Sequence, residues 1–538
     1  MTLLTLAALG GCTRQAHRPP CPQGALCLVY GNGAEPLSLD PAHVDGVWEL
    51  TIVDQLIVGL TDRDAGGHPI PGMATSWDVS PDKLTWTFHL RDAKWSDGTP
   101  VTADDFVYGI RRVLDPKTAS YSAFILLPFL KNAAEVNAGK LPLTAAGVEA
   151  PDPHTVVIHL SHPWPWLAAN AADRVMWPVP RHVVEKWGEQ WTRPGHYVGN
   201  GPYTLVSWRL GDMVVLRKNP LYFDAPHVCF TQVDFTPSPD PISNERSERS
   251  GDLDVSTTVQ SNRLGFLRQS GMADYVHVAP EFGVTYLAFN LKDPALKDVR
   301  VRQALSMAID RDFITQKLLR AGQRSAVGFV PPGLDGYPQG PHFYWAAWSF
   351  AQRQAEARRL LAAAGYGPGH PLHIVVKHRN SSDPSLFLLA VQSDWAQVGV
   401  NAELQPNDVQ VAYQEYEIHD FQVGDAGWIS DNPLNYLDLA RSDTGGQNYG
   451  EYDNPAYDAE LDAALDSADP TARTAHLERA EAILLADMPV APLYYIASRN
   501  LVNPHVLGWR DNPIDVHVAS ALCHLPGSAS PAAGAAAS

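Results

Sequence analysis

The stretch "ATSWDVSPDKLTWTFHLRDAKWSDGTPVTADDFVYGIRRVLDP", residues 74–116, decides the fold class. Its middle, "LTWTFHL" at 84–90, alternates apolar and polar side chains by twos. Turn-forming runs, "SPDK" and "RDAKWSDG", bound it, so it reads as a strand with one buried face. Its end, "TADDFVYGIRRVL" at 102–114, opens on a Thr cap followed by two acids. Phe106, Val107, Ile110 and Val113 recur at helical spacing, which predicts an amphipathic helix. A strand and a helix within forty residues indicate a mixed α/β protein rather than an all-β or all-α one.

The same grammar continues outward. "TVVIHL", 155–160, reads as a second strand after the turn "APDPH". "DVRVRQALSMAIDRDFITQKLL", 298–319, reads as the strongest helix, with Asp298 as cap and Val301, Ala304, Leu305 and Ala308 on one face. "AQRQAEARRLLAAAG", 351–365, is a helix ended by Gly365, and "LHIVVK", 372–377, a strand after it. At 538 residues the chain exceeds what one core holds, so two or three α/β lobes are expected. The formal charge of −19 excludes nucleic acid as a partner, because phosphate binding needs a basic face. Neither a P-loop, nor H-E-x-x-H, nor G-x-S-x-G occurs, and "GNG" at 31–33 and 199–201 does not extend to a dinucleotide fingerprint. His154, His159 and His162 lie in and beside one strand without the spacing of a metal site. No cofactor is expected.

The amino terminus carries its own signal. Residues 2–11, "TLLTLAALGG", are apolar or small and run into Cys12. This resembles the end of a bacterial lipoprotein signal with "LGGC" as lipobox. The resemblance implies that residues 1–11 are removed and that Cys12 carries lipid, with residues 12–27 as a tether. Such a protein is periplasmic, anchored to the inner or outer membrane. Export implies an oxidising compartment. Cys21, Cys27, Cys229 and Cys523 then allow three pairings; a short Cys21–Cys27 loop would leave Cys229 for Cys523. Residues 526–538, "PGSASPAAGAAAS", read as a disordered tail.

Four stretches taken together resemble the extracytoplasmic peptide-binding proteins of ABC importers, closest to the oligopeptide-binding branch. They are residues 74–116, "VGNGPYTLVSWRLGDMVVLRKNPLYF" at 198–223, "DVRVRQALSMAIDRDFI" at 298–314, and "GWISDNP" at 427–433. The resemblance implies a periplasmic-binding-protein-like fold with two main lobes, a hinge and an extra domain. Domain I would comprise 28–56, 181–283 and 497–525; domain II, 57–180; domain III, 284–496, would close over the ligand. It also implies a monomer without catalytic activity that passes peptides to membrane permease subunits.

Within that resemblance "GWISD" matches the family's W-x-x-D ligand motif. Asp431 would pair with the free amino terminus of a peptide, a charge-assisted contact that offsets the cost of a carboxylate in a closed cleft. Trp428, Gly427 and Ile429 would supply backbone and wall, because an extended peptide can hydrogen-bond as an added strand. Tyr121, Tyr286 and Glu35 align near other cleft positions. Read without the resemblance, Asp431 is a turn acid in "SDNP".

Two departures stand out. The oligopeptide branch has an Arg three residues before the motif Trp, where this chain has Asp425. It has a His after its N-T-S-D-like stretch, where this chain has Ser385. Both would remove cationic partners of a ligand carboxylate and favour neutral or basic ligand ends. Lys377, His378 and Arg379 lie upstream and could replace that charge. Other readings of the same fold remain open: a murein fragment, metal chelate, haem or oligosaccharide as ligand. A periplasmic chaperone or a peptide hydrolase are rivals of a different class.

Overall fold

The computed structural model describes residues 18–44, 46–238, 240–257, 259–334, 336–337 and 339–524. Cys12 and the tail 526–538 lie outside the described residues. The fold is mixed α/β, as the alternation of strand and helix signals indicates. A large sheet forms its spine, in the spatial order Val400–Asn407, Leu372–Arg379, Val423–Ile429, Val276–Phe289, Val490–Val502, Val255–Ser256, Cys27–Gly31, Gln232–Thr236, Met213–Lys218 and Tyr203–Arg209. The pair Arg324–Ser325 adds on beside Val490–Val502.

Two long antiparallel strands carry the chain across the middle of this sheet. Val276–Phe289 pairs Val490–Val502 twice, from Val276↔Leu501 to Pro280↔Ala497 and again from Val284↔Tyr495 to Ala288↔Val490. Between the two runs the register shifts, leaving Glu281, Phe282 and Gly283 outside the pairing. An irregularity of this kind bends a strand and re-aims its side chains. On one side of it the strands join Cys27–Gly31 and its neighbours; on the other they join Val423–Ile429.

A separate four-stranded antiparallel sheet holds Ala74–Val79, Thr85–Leu90, Thr155–His159 and Val148–Asp152. The helix Ala103–Leu114 packs on it through Phe106, Val107, Ile110, Val113 and Leu114, all buried. Each such side chain contributes about 1.5–3 kcal/mol on leaving water. Thr102 starts the helix as expected, and Asp105 at the third helical position accepts from the Thr102 N–H and hydroxyl, while the Asp105 N–H reaches the Thr102 carbonyl.

One helix is shorter than its sequence pattern. Asp298 caps Val299–Met307 as expected, but the α-helix stops there and a π-helical segment follows at Phe313–Leu319. The residues between are bound elsewhere. The buried Arg311 guanidinium donates to the carbonyls of Pro492 and Ser306, and the Asp310 N–H donates to Asp394. These tertiary bonds outcompete continuation of the apolar face.

The cysteines pair as Cys21–Cys27 and Cys229–Cys523, the second bond tying the chain's last described strand to position 229. The tether assigned to residues 12–27 is fixed over its second half. Arg18 is 7% exposed and makes a fork of two hydrogen bonds, 2.9 and 2.6 Å, to Asp254. No helix among the described residues is long and apolar enough to cross a membrane.

Candidate functional site

Towards the end of Val423–Ile429 the strand leaves its partner Leu372–Arg379 after Gly424 but stays paired with Val276–Phe289 as far as Gly283↔Ile429. Asp425 and Ala426 are buried, Gly427 and Trp428 half-buried, and Ile429 is 44% exposed. The chain is held there by a knot around one hydroxyl. Tyr436 Oη donates to the Phe282 carbonyl at 2.7 Å and accepts from the Ser430 N–H at 2.9 Å; the Ser430 N–H also reaches the Phe282 carbonyl at 3.1 Å. Asn432, not Asp431, does the turn work: its Oδ1 accepts from the Leu434 N–H and caps the helix Pro433–Leu437. That leaves the Asp431 carboxylate free of any local task.

Its partner comes from 368 residues away. Arg63 Nη1 donates to Asp431 Oδ2 at 3.0 Å, with the two side chains 19% and 32% exposed. Arg63 closes the short strand Thr61–Arg63, and among the described residues its guanidinium otherwise makes only long contacts, 3.4 Å to each of the carbonyls of Gly67 and Ala169. The ion pair therefore joins the 61–72 hairpin to the end of Val423–Ile429. Further contacts run alongside it. The Trp428 ring lies 6.5 Å from that of Phe124, Lys83 Nζ donates to the Ala468 carbonyl, and His162 meets Asp466 at 2.7 Å. Trp428 Nε1 is buried and has no hydrogen-bond partner among the described residues.

The remaining residues expected at the site divide. Tyr121 is 67% exposed, its ring edge-on to His43 at 6.5 Å. Ser385 is half-buried in the first turn of Ser382–Gln397. Glu35 is tied down: its carboxylate accepts from Trp208 Nε1 at 2.7 Å and from the Gly211 N–H at 3.0 Å, so it fastens the Tyr203–Lys218 hairpin. Tyr286 is 2% exposed and its ring stands edge-on to Phe329; it belongs to the core behind the strand rather than to an open wall.

Asp425 requires the largest correction. Its side chain is fully buried and cannot repel a ligand end. Its Oδ1 accepts from the Arg379 N–H at 2.7 Å, and its Oδ2 from Arg379 Nε and Nη2 at 2.9 and 2.7 Å. Arg379 Nη1 turns to the Tyr413 hydroxyl at 3.1 Å, and 20% of the side chain remains exposed. A buried acid facing a bidentate guanidinium is a neutral unit. Lys377 is occupied as well, by Glu415 and Asp420 at 3.0 Å each. Sequence reasoning missed Arg63 altogether, since "LTDRDAGG" reads as an ordinary polar turn and nothing local points to Asp431.

The chain belongs to the bacterial extracellular solute-binding proteins, family 5: the model of that family's middle region matches residues 68–448. The periplasmic oligopeptide-binding protein OppA of Escherichia coli is 37% identical over 498 residues, covering 91% of this chain and 90% of that protein. The fold superposes on the Escherichia coli murein tripeptide-binding protein MppA with a TM-score of 0.87 at 34% identity, covering 93% of this chain and 99% of the other. Against the unliganded open form of MppA, at 93% and 98% coverage and 34% identity, the TM-score is 0.74.

Proposed function

We propose that this chain is a lipid-anchored binding protein that captures peptides by lobe closure and delivers them to an ABC permease. Asp431 accepts the free amino terminus. The carrying observation is that Asp431, relieved of capping by Asn432, faces a cation brought from a distant segment. A position that holds a guanidinium at 3.0 Å is electrostatically suited to an ammonium. The half-exposed run Gly427–Ile429 offers an edge on which an extended backbone can add as a strand. Trp428 and Tyr121 supply wall.

The division into domain I (28–56, 181–283, 497–525), domain II (57–180) and domain III (284–496) belongs to the same proposal. The interruption at Glu281–Gly283 serves as the hinge. Contacts between the 61–176 and 428–473 regions support a closed arrangement, as does the lower superposition on the open form. Mass spectrometry of solutes released from natively purified protein tests the ligand class. A mixture of short peptides with free amines supports the reading; a single non-peptide species overturns it.

A further inference from the structure

Next to Phe282, whose carbonyl holds Ser430, stands a second carboxylate that the ammonium contact does not use. Glu281 is 8% exposed, and among the described residues it makes no hydrogen bond and no ion pair. It stands in the interruption between Pro280 and Val284, where the long strand leaves its pairing. Its neighbour Phe282 is fastened on both sides, by its N–H to the Pro513 carbonyl at 2.6 Å and by its carbonyl to Ser430 and Tyr436. Glu281 is thereby fixed at the meeting point of three segments.

Charged groups act on it from several segments. Tyr436, whose hydroxyl sits at the knot, feels the fields of both Asp431 and Glu281. Asp515 repels Glu281 and also acts on Tyr30, at the end of the central strand Cys27–Gly31. Arg499 attracts it but is engaged with Asp383 at 2.6 Å. Asp515 is itself partnered by Asn500 and His517. Burial, with Asp515, pushes the Glu281 carboxyl up to about 8. Glu248 is a useful contrast, an acid whose two oxygens are sealed from solvent. Glu281 by contrast stands in the strand interruption with 8% of its surface exposed. A buried acid kept without a partner is costly, and a cation delivered from outside removes that cost.

We propose that Glu281 receives a second cationic group of the ligand, the side-chain ammonium or guanidinium of a basic residue at or next to the peptide's amino terminus. This rests on the reading of Asp431 as the amine acceptor. The two acids together select dications over the single ammonium that every peptide carries. Binding ionises Glu281 and so releases a proton near neutral pH.

The test is calorimetric titration of the full chain with Lys-Ala-Ala and with norleucine-Ala-Ala, which lacks only the side-chain charge. Wild-type protein is expected to favour the lysine peptide by about tenfold or more. Glu281→Gln, an isostere of the protonated acid, should lower lysine-peptide affinity to the norleucine level and leave the norleucine peptide unaffected. In buffers of different ionisation enthalpy, wild type should release a proton with the lysine peptide, and Glu281→Gln should not. Equal affinity of wild type for both peptides, a preference that survives Glu281→Gln, or the absence of proton release overturns the inference while leaving peptide binding intact. Failure of wild type to bind either peptide instead overturns the Asp431 reading, and this inference with it.

Discussion

Replacing Arg63 by Gln should tighten the binding of peptides with a free amino terminus. Arg63 stands 3.0 Å from Asp431, in the position that the proposed ligand ammonium would take. A ligand must therefore displace it. The cost is modest, because the two side chains keep 19% and 32% of their exposure and solvent screens the pair. Pairs of this kind are worth about 0.5–1 kcal/mol. At about 1.4 kcal/mol per tenfold, removing the competitor raises affinity by about two- to fivefold. Calorimetry should compare wild type and Arg63→Gln on one tripeptide in free and N-acetylated forms. The ratio of the two affinities should widen in the variant, because only the free amine competes with Arg63. A tenfold loss of affinity in the variant would show that Arg63 holds the ligand instead, and an unchanged ratio would refute the competition argument.

Two further outcomes concern the frame around the site. Asp425→Ala should destabilise the protein by about 3 kcal/mol in urea unfolding, because it strips a largely buried guanidinium of its counter-ion. The double variant Asp425→Ala/Arg379→Leu should recover much of that loss; if the two losses simply add, the pair is not the unit described. Glu481 is an acid fully buried against the N–H groups of Phe329 and Val330 and the Tyr337 hydroxyl, and burial pushes it from 4.5 to about 7. Between those values the unfolded chain has lost the proton that the folded one keeps, so stability falls as pH rises through that window. Urea midpoints at pH 5 and pH 8 should differ less in Glu481→Gln than in wild type, and parallel pH dependences would rule out this assignment.

The elements of the fold were legible wherever the determinant was local. Thr102 and Asp105 mark a helix start, and "LTWTFHL" marks a strand, because capping and alternation are short-range facts. The end of the helix at Met307 was not legible, since Asp394 and Pro492 cause it from far along the chain. The site divides in the same way. The W-x-x-D motif drew attention to Asp431, and "SDNP" announced a turn, but which residue served the turn depended on Asn432 reaching Leu434. The charge at Asp425 was misjudged for a related reason. A reversed sign at one position matters to a ligand only when no internal partner answers it, and Arg379, 46 residues earlier, answers it completely. Arg63 and Glu281 carry no sequence signal, because their meaning lies in what the fold sets beside them.

The most direct test of the central claim is a calorimetric cycle. It uses one tripeptide with a free or an acetylated amino terminus, titrated into wild-type protein and Asp431→Asn. If Asp431 receives the ammonium, acetylation should weaken wild-type binding by about 2–5 kcal/mol. Asp431→Asn should weaken the free peptide comparably, and the two losses should not add. Equal binding of free and acetylated peptide by wild type, or full additivity of the two changes, would contradict it.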